Sequence, residues 1–165
     1  MKVWIDLISG DEMVSDSYPH TPIYNGACLE VKARYRTKGV EQIAIASDDV
    51  IEDDGTGETI VDLVDAFKLN EIQLAKADFM AYVKNFLKTV TEKLTARGKA
   101  DRIDDFKKGC TEMIKFVISK YAEFQFYTGP SYNMEAGLAL SYQKEQEDEG
   151  PTFLFFLDNM KEEKF

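Results

Sequence analysis

Apolar residues recur at intervals of three and four in two consecutive segments of the chain, which is the spacing of one face of an α-helix. Gly98 separates the two segments, and Asp101 is expected to cap the second helix. The first stripe, on a helix from about Lys76 to Arg97, comprises Phe79, Tyr82, Val83, Phe86, Leu87, Val90 and Leu94. The second stripe comprises Ile103, Phe106, Cys110, Met113, Ile114, Val117 and Tyr121. The sequence therefore predicts a two-helix hairpin over about residues 76–121.

The segments on either side of this hairpin are typical of β-strands. "MKVWIDLI" and "ACLEVKARYR" carry β-branched and aromatic residues in partial alternation, with the turn-forming "YPHTPIYNG" between them. We therefore expect two strands joined by a long loop, and a further strand in "TIVDLVDAF". After the hairpin, "FQFYTG", "GLALSYQ" and "TFLFFLD" predict three more strands. Strands that pair around an inserted hairpin indicate an α+β fold, with residues 1–165 as a single domain.

The acidic segment "ASDDVIEDDGTGE" has neither periodicity nor aromatic residues, so we expect a mobile loop over about residues 40–59. It does not fit an EF-hand, because placing Gly55 at the turn position puts Val50 first and Val61 twelfth, where carboxylates are required. Weak calcium binding by its clustered carboxylates and an ordinary solvated loop both remain open. The calcium candidates are Asp48, Asp49, Glu52, Asp53 and Asp54.

Acidic and basic residues are distributed unevenly along the chain. The net charge of −10 disfavours nucleic acid and anionic lipid as partners, but residues 76–120 carry eleven basic and six acidic side chains. Apolar stripes of the hairpin must face the core, so most of its lysines must point outward. Lys84, Lys88, Lys107 and Lys108 are therefore candidate contacts for an acidic partner, and two solvated faces without a partner are the alternative.

The search for catalytic chemistry is negative, and we predict that the protein is not an enzyme. The single histidine, His20, lies between Pro19 and Pro22 and is expected on a surface loop. No nucleophile elbow, dinucleotide loop or Walker sequence is present. Cys28 and Cys110 are expected to be two buried thiols, with no cofactor required. There is no run of about 18 apolar residues and no secretory signal, so we expect a cytoplasmic protein without a membrane span.

The stretch "DLISGDEMVSDSY" places four carboxylates directly after an apolar opening. Asp6 is interpreted as a strand-edge charge and Asp16 as a turn cap. Asp11 and Glu12 lie in a turn between Ile8 and Met13, which can present both of them outward. A contact for a partner protein and a purely structural role both remain open for this pair.

Several blocks of the chain, in order from end to end, resemble the translationally controlled tumour protein family. They are "DLISGDEMVSDSY", "ACLEV", "IVDLVDAF", "EMIK", "FQFYTGPSYNMEAGLALSY" and "FLFFLDNMKEEKF". The chain departs from the family in lacking an Asn-x-Ser-x-Glu element in the acidic loop, in having Pro130 where a Glu is usual, and in ending with Phe165 rather than cysteine. The resemblance implies a β-tent-like body of mixed sheet, similar to Rab exchange factors, with a projecting helical hairpin.

The resemblance also implies partners. Members of the family are described as abundant cytosolic proteins that bind calcium and tubulin, act against apoptosis through Bcl-type regulators, promote exchange on a Rheb-like small GTPase, and are secreted by a non-classical route. Glu12, beside Asp11, matches the proposed GTPase contact, and Lys115 of "EMIK" matches an accessory contact. A chaperone-like, microtubule-associated scaffold without GTPase activity is the alternative function.

Overall fold

A computed structural model describes residues 1–37, 59–144 and 149–164, in which strands precede and follow a pair of long helices. The helices are α1 (Asp62–Phe67), α2 (Lys76–Ala96) and α3 (Ile103–Ser119). The strands are β1 (Lys2–Asp6), β2 (Glu12–Ser15), β3 (His20–Ile23), β4 (Cys28–Lys32), β5 (Tyr35–Thr37), β6 (Thr59–Val61), β7 (Asn70–Ile72), β8 (Gln125–Thr128), β9 (Ala139–Tyr142), β10 (Thr152–Phe156) and β11 (Met160–Lys164). The predicted α+β class with an inserted helical hairpin is confirmed.

The described strands form three sheets. A six-stranded sheet has the order β3-β4-β10-β9-β8-β7, a three-stranded sheet has the order β11-β1-β2, and β5 pairs with β6. Where a mixed sheet was expected, every pairing between the described strands is antiparallel. Because side chains alternate between the faces of a strand, each face of the six-stranded sheet can support its own core.

The alternation along β10 divides the core in two. Leu154 and Phe156 pack with the apolar stripes of α2 and α3, whereas Phe153 and Phe155 pack with Trp4 and other residues of the three-stranded sheet. The hairpin therefore covers one face of the six-stranded sheet, and β1, β2 and α1 cover the other. The buried apolar residues of both helices belong to the same core cluster as Ile72, Leu140 and Leu154 of the six-stranded sheet.

The helix boundaries agree with the periodicity, but the predicted cap is wrong. Gly98 has a φ of +73° just after α2, which is the left-handed conformation that commonly follows a helix. Asp101 lies in a short 3₁₀ turn, Ala100–Arg102, and the residue preceding α3 is Arg102, with no side-chain capping hydrogen bond. The backbone thus enters α3 directly from the 3₁₀ turn, and a cap at Asp101 is not needed.

The prediction of a single strand over "TIVDLVDAF" is wrong for the second half of this segment. Only Thr59–Val61 is extended, and α1 follows it. The Asp62 carboxylate accepts hydrogen bonds from the backbone N–H groups of Arg34 and Leu63, at 2.9 and 2.7 Å, and so stabilises the positive end of the helix. Lys68 ends α1 in a left-handed conformation, with a φ of +56°.

The long loop predicted between the first two strands contains β2 and β3, and β7 and β11 were also missed. His20 is exposed as expected, but it lies on β3 with its ring edge-on to Trp4, at 5.2 Å between ring centroids. The predicted acidic loop of residues 40–59 lies outside the described residues, apart from Thr59 at the start of β6.

Cys28 and Cys110 are both buried, as predicted, and neither forms a disulfide. Burial raises the pKa of Cys110 to about 12 and also raises that of Cys28, so both thiols stay protonated near neutral pH. Within the three described ranges, no helix combines the length and hydropathy required to cross a membrane.

Candidate functional site: an acidic turn and a basic helical face

The Asp6–Asp11 turn is organised around a buried carboxylate. One oxygen of Asp6 accepts the backbone N–H groups of Ile8 and Ser9 at 2.7 and 2.9 Å. Its other oxygen accepts the N–H of Gly137 at 2.8 Å and Nδ2 of Asn159 at 3.0 Å. Burial raises the pKa of Asp6, and these four hydrogen bonds act in the opposite direction. The interpretation of Asp6 as a strand-edge charge is wrong, because this residue ties the turn to two distant segments of the chain.

Asp11 closes the same turn from its other end. Its Oδ2 accepts hydrogen bonds from both the backbone N–H and the hydroxyl of Ser131, at 3.1 and 2.7 Å, and its backbone N–H donates to Oγ of Ser9 at 3.1 Å. Gly129 permits this approach, since a Cβ there would lie 2.4 Å from the same carboxylate oxygen. One oxygen of the Asp11 carboxylate is therefore engaged within the protein.

Glu12 is the exposed carboxylate directly after this turn. It is the first residue of β2, lies opposite Ile5 where the register of the β1–β2 pair shifts, and is followed by the buried residues Met13 and Val14. The side chain thus extends into solvent from a backbone held on one side by the Asp11–Ser131 contact and on the other by the core. Asp16 binds the backbone N–H of Lys2 at 3.2 Å and lies apart from the turn.

The candidate lysines of the hairpin are all exposed, and the structure brings some of them together. Lys88 of α2 and Lys107 of α3 line the same groove between the helices, alongside Leu87, Thr91 and Glu92. Lys84 precedes Lys88 by one helical turn, and Lys108 follows Lys107 directly. The groove is not purely cationic, because Glu92 lies within it.

Lys115 is exposed on α3, two turns beyond Lys108. Its helix covers one face of the six-stranded sheet, whereas the strand that carries Glu12 belongs to the layer on the opposite face. Within the described ranges, no hydrogen bond or ion pair connects Glu12 with Lys115. The structure therefore does not assemble these two residues into one local site.

Arg102 differs from the other basic residues of the hairpin, and no sequence pattern predicts this difference. It forms a bidentate pair with Asp158, with Nε–Oδ1 and Nη2–Oδ2 distances of 3.0 Å. Nη2 also donates to the backbone oxygen of Asn25 at 3.2 Å. Arg102 therefore attaches the hairpin tip to the body of the protein, where charge counting alone would place it on the free cationic face.

No group of three or more His, Cys, Asp or Glu side chains in the described ranges is arranged to hold a metal ion. The five calcium candidates, Asp48, Asp49, Glu52, Asp53 and Asp54, lie outside those ranges. Calcium binding by the acidic segment stays a prediction.

Comparison with known proteins gives a consistent result over the whole chain. The family model for translationally controlled tumour protein matches residues 1–161. The homologues of that protein from Plasmodium yoelii yoelii and Theileria annulata are 38% and 33% identical over 173 and 175 residues, with complete coverage of each protein and of this chain.

Solved structures agree with these sequence matches. The translationally controlled tumor-associated protein p23fyp from Schizosaccharomyces pombe superposes with a TM-score of 0.83 at 28% identity, with complete coverage of both chains. The translationally controlled tumor protein of Caenorhabditis elegans, with a TM-score of 0.66, 24% identity, and coverage of 100% of this chain and 99% of its own, supports the fold alone. The fold expected from the resemblance is confirmed, and the chain belongs to the translationally controlled tumour protein family.

Proposed function

We propose that this protein acts by binding other proteins and not by catalysis, and that Glu12 contacts a small GTPase of the Rheb-like class. The observation that carries the proposal is the presentation of Glu12: an exposed carboxylate on a backbone fixed by Asp6 and Asp11. A fixed presentation lowers the conformational entropy lost on binding. The Asp11 carboxylate supports Glu12 in this role, since its own oxygen is engaged by Ser131.

A carboxylate can act on a GTPase without performing chemistry. Small GTPases hold nucleotide through a P-loop lysine and a Mg²⁺ ion at the β- and γ-phosphates. A partner carboxylate that pairs with this lysine, or repels the phosphates it replaces, favours the nucleotide-free state by differential affinity alone. Lys115 enters this proposal as a separate accessory contact, because it lies on the opposite layer of the fold.

The charge of Glu12 can be tested with an isosteric substitution. Glu12→Gln should weaken binding to a nucleotide-free GTPase by about fivefold or more, because it removes the carboxylate charge and keeps the size of the side chain. Calorimetric titration of the two purified proteins measures the change. Glu71→Gln, at an exposed position of β7, is the matched control and should bind like wild type. Equal affinity of Glu12→Gln and wild type, at equal stability, would falsify the contact.

A second candidate function is binding of tubulin, or a similarly acidic protein, through the hairpin. The observation in its favour is that Lys88 and Lys107, from different helices, line one groove. Lys84 and Lys108 extend this cationic face along both helices. Such a function on its own corresponds to the microtubule-associated scaffold without GTPase activity.

Binding of tubulin through the hairpin should depend strongly on the charges of the hairpin lysines. Reversing Lys88 and Lys107 to Glu should lower co-sedimentation with microtubules by about tenfold at low salt, and added salt should weaken wild-type binding. Lys68→Glu/Lys164→Glu makes the same change in net charge at exposed positions outside the hairpin and should have little effect. If both double variants lose binding equally, net charge is responsible and the hairpin face is not.

Three further expectations of the sequence analysis stay predictions. They are weak calcium binding by the acidic segment, contact with Bcl-type regulators of apoptosis, and a cytoplasmic location with non-classical secretion. A hydrophobic Bcl-type contact should be insensitive to salt, unlike tubulin binding by the hairpin, so ionic strength separates the two modes.

A further inference from the structure

A cleft of about 480 Å³ lies between the hairpin tip and β11, the edge strand of the three-stranded sheet. It is separate from Glu12 and from the groove of Lys88 and Lys107. This volume falls within the range of about 300–1,000 Å³ that is usual for small-molecule sites. We refer to it as the hairpin-tip cleft, and its basic residues are Arg97, Lys99, Arg102 and Lys161.

The charges of the hairpin-tip cleft favour an anion, although the whole chain has a net charge of −10. Among the residues that line the cleft, four basic side chains face two acidic ones, Asp158 and Glu162, which leaves a local charge of +2. Both carboxylates already have a basic partner, since Arg102 binds Asp158 at 3.0 Å and Lys2 lies 3.4 Å from Glu162. Two further carboxylates lie outside this lining: Glu163 is 3.7 Å from Lys161, and Asp105 is 3.6 Å from Arg102. Arg97 and Lys99 are exposed and form no ion pair within the described ranges. Their charges are therefore available to a ligand.

One wall of the hairpin-tip cleft is fixed before any ligand binds. The Arg102 guanidinium is held by Asp158 and by the backbone oxygen of Asn25. Gly26, with a φ of +79°, lies so close that a Cβ there would be 3.4 Å from Nη2 of Arg102. A wall fixed in this way needs little ordering on binding, which leaves more of the interaction energy for affinity.

The most buried side chains that line the hairpin-tip cleft are apolar, and we refer to them as its apolar base. Leu94, Trp4 and Met160 are buried and Leu157 is half-buried, whereas the basic residues Arg97, Lys99 and Lys161 are exposed and are referred to as its rim. An apolar base under a cationic rim suits a molecule with an apolar body and an anionic head. We propose that the hairpin-tip cleft binds a small alkyl phosphate monoester, with its phosphate between Arg97, Lys99 and Lys161 and its chain over the apolar base. A phosphate charge of about −1.5 to −2 at neutral pH matches the local charge of +2.

The proposal can be tested with octyl phosphate and the full chain. Trp4 is the only tryptophan of the sequence and lines the hairpin-tip cleft, so its fluorescence reports occupancy directly. We expect saturable binding with a Kd below about 1 mM, and at least about tenfold weaker binding of octanol and of inorganic phosphate. Arg97→Glu/Lys99→Glu should weaken octyl phosphate binding by at least about tenfold.

Lys68→Glu/Lys120→Glu is the matched control, with the same change in net charge at exposed positions away from the hairpin-tip cleft. It should bind octyl phosphate like wild type. Should the Arg97/Lys99 charge reversal fail to fold, Arg97→Gln/Lys99→Gln replaces it, with an expected loss of at least about threefold.

Three results would each overturn the proposal. The first is octyl phosphate affinity that is equal in wild type and in the Arg97/Lys99 variants. The second is inorganic phosphate binding as tightly as octyl phosphate, because the apolar base would then contribute nothing. The third is a hexaglutamate peptide displacing octyl phosphate with higher affinity, because the cleft would then be an acidic-peptide surface. None of these results affects the proposed roles of Glu12 or of the hairpin lysines, since they concern different residues.

Discussion

Replacing Gly109 with alanine is expected to lower the free energy of unfolding by about 2 kcal/mol or more, which is the effect of overpacking a close contact. A Cβ at this position of α3 would lie 2.0 Å from the backbone oxygen of Tyr24 and 2.8 Å from Cβ of Ala27. That oxygen accepts a hydrogen bond from the N–H of Ala27 at 3.0 Å, and Tyr24 is in a left-handed conformation with a φ of +53°. The turn that contains Tyr24 and Ala27 therefore cannot easily move away from α3 to make room for the added Cβ.

The gain in helix propensity on changing glycine to alanine, about 1 kcal/mol, is too small to offset this clash. Urea denaturation of the variant and the wild type measures the difference. Lys108→Ala, at the neighbouring exposed position of α3, is the control and should change stability by less than about 0.5 kcal/mol. A Gly109→Ala protein as stable as wild type would mean that the hairpin can shift away from the β3–β4 turn without loss.

Asp6→Ala should have an effect of similar or larger size, about 3 kcal/mol, because it leaves several buried donors without an acceptor. The N–H of Gly137 and Nδ2 of Asn159 point at one oxygen of Asp6, and two N–H groups of its own turn point at the other. Asp6→Asn should lie between wild type and alanine, since it keeps one acceptor oxygen and places an amide opposite donors.

Asp16→Ala is the comparison for Asp6, as its carboxylate is exposed and accepts one long hydrogen bond from Lys2, at 3.2 Å. It should cost less than about 0.5 kcal/mol. Thermal or urea unfolding of Asp6→Ala, Asp6→Asn and Asp16→Ala ranks these three variants by their stability. Equal stability of the Asp6→Ala and Asp16→Ala proteins would contradict the role of Asp6 in fixing the turn.

Sequence patterns predicted the hairpin well because the apolar pattern that defines each helix lies within the helix itself. The apolar stripes of α2 and α3 repeat over four to five turns, and such a pattern has few alternative structures. The same reasoning failed at α1, where Leu63, Val64 and Phe67 are too few to distinguish helix from strand. There the outcome depends on Asp62 binding the backbone of Arg34, 28 residues earlier in the chain. The polar strand β11 has no apolar alternation at all and is defined by its pairing with β1.

The residues of the candidate site were likewise predicted only in part. The exposure of Lys84, Lys88, Lys107 and Lys108 follows from their positions outside the apolar stripes. The burial of Asp6 does not, because its partners Gly137 and Asn159 lie 131 and 153 residues away. Arg102 likewise looks like any other basic residue of the hairpin until Asp158, 56 residues later, is placed beside it. Contacts across such separations are determined by the assembled fold and leave no local periodicity.

The pairing of β1 with β11 has a consequence for the order of events during synthesis. Lys2 lies opposite Lys164 and Asp6 opposite Met160, so the middle strand of the three-stranded sheet has its second neighbour about 150 residues later in the chain. On the ribosome, β1 can form a hairpin with β2 early but must wait for residues 160–164 to be synthesised before its other edge is covered. Contacts of such high sequence separation slow folding, and an uncovered strand edge is open to unwanted pairing. We therefore expect the nascent chain to be most prone to aggregation before residues 160–164 have emerged, when the helical hairpin is already made and this edge is still exposed.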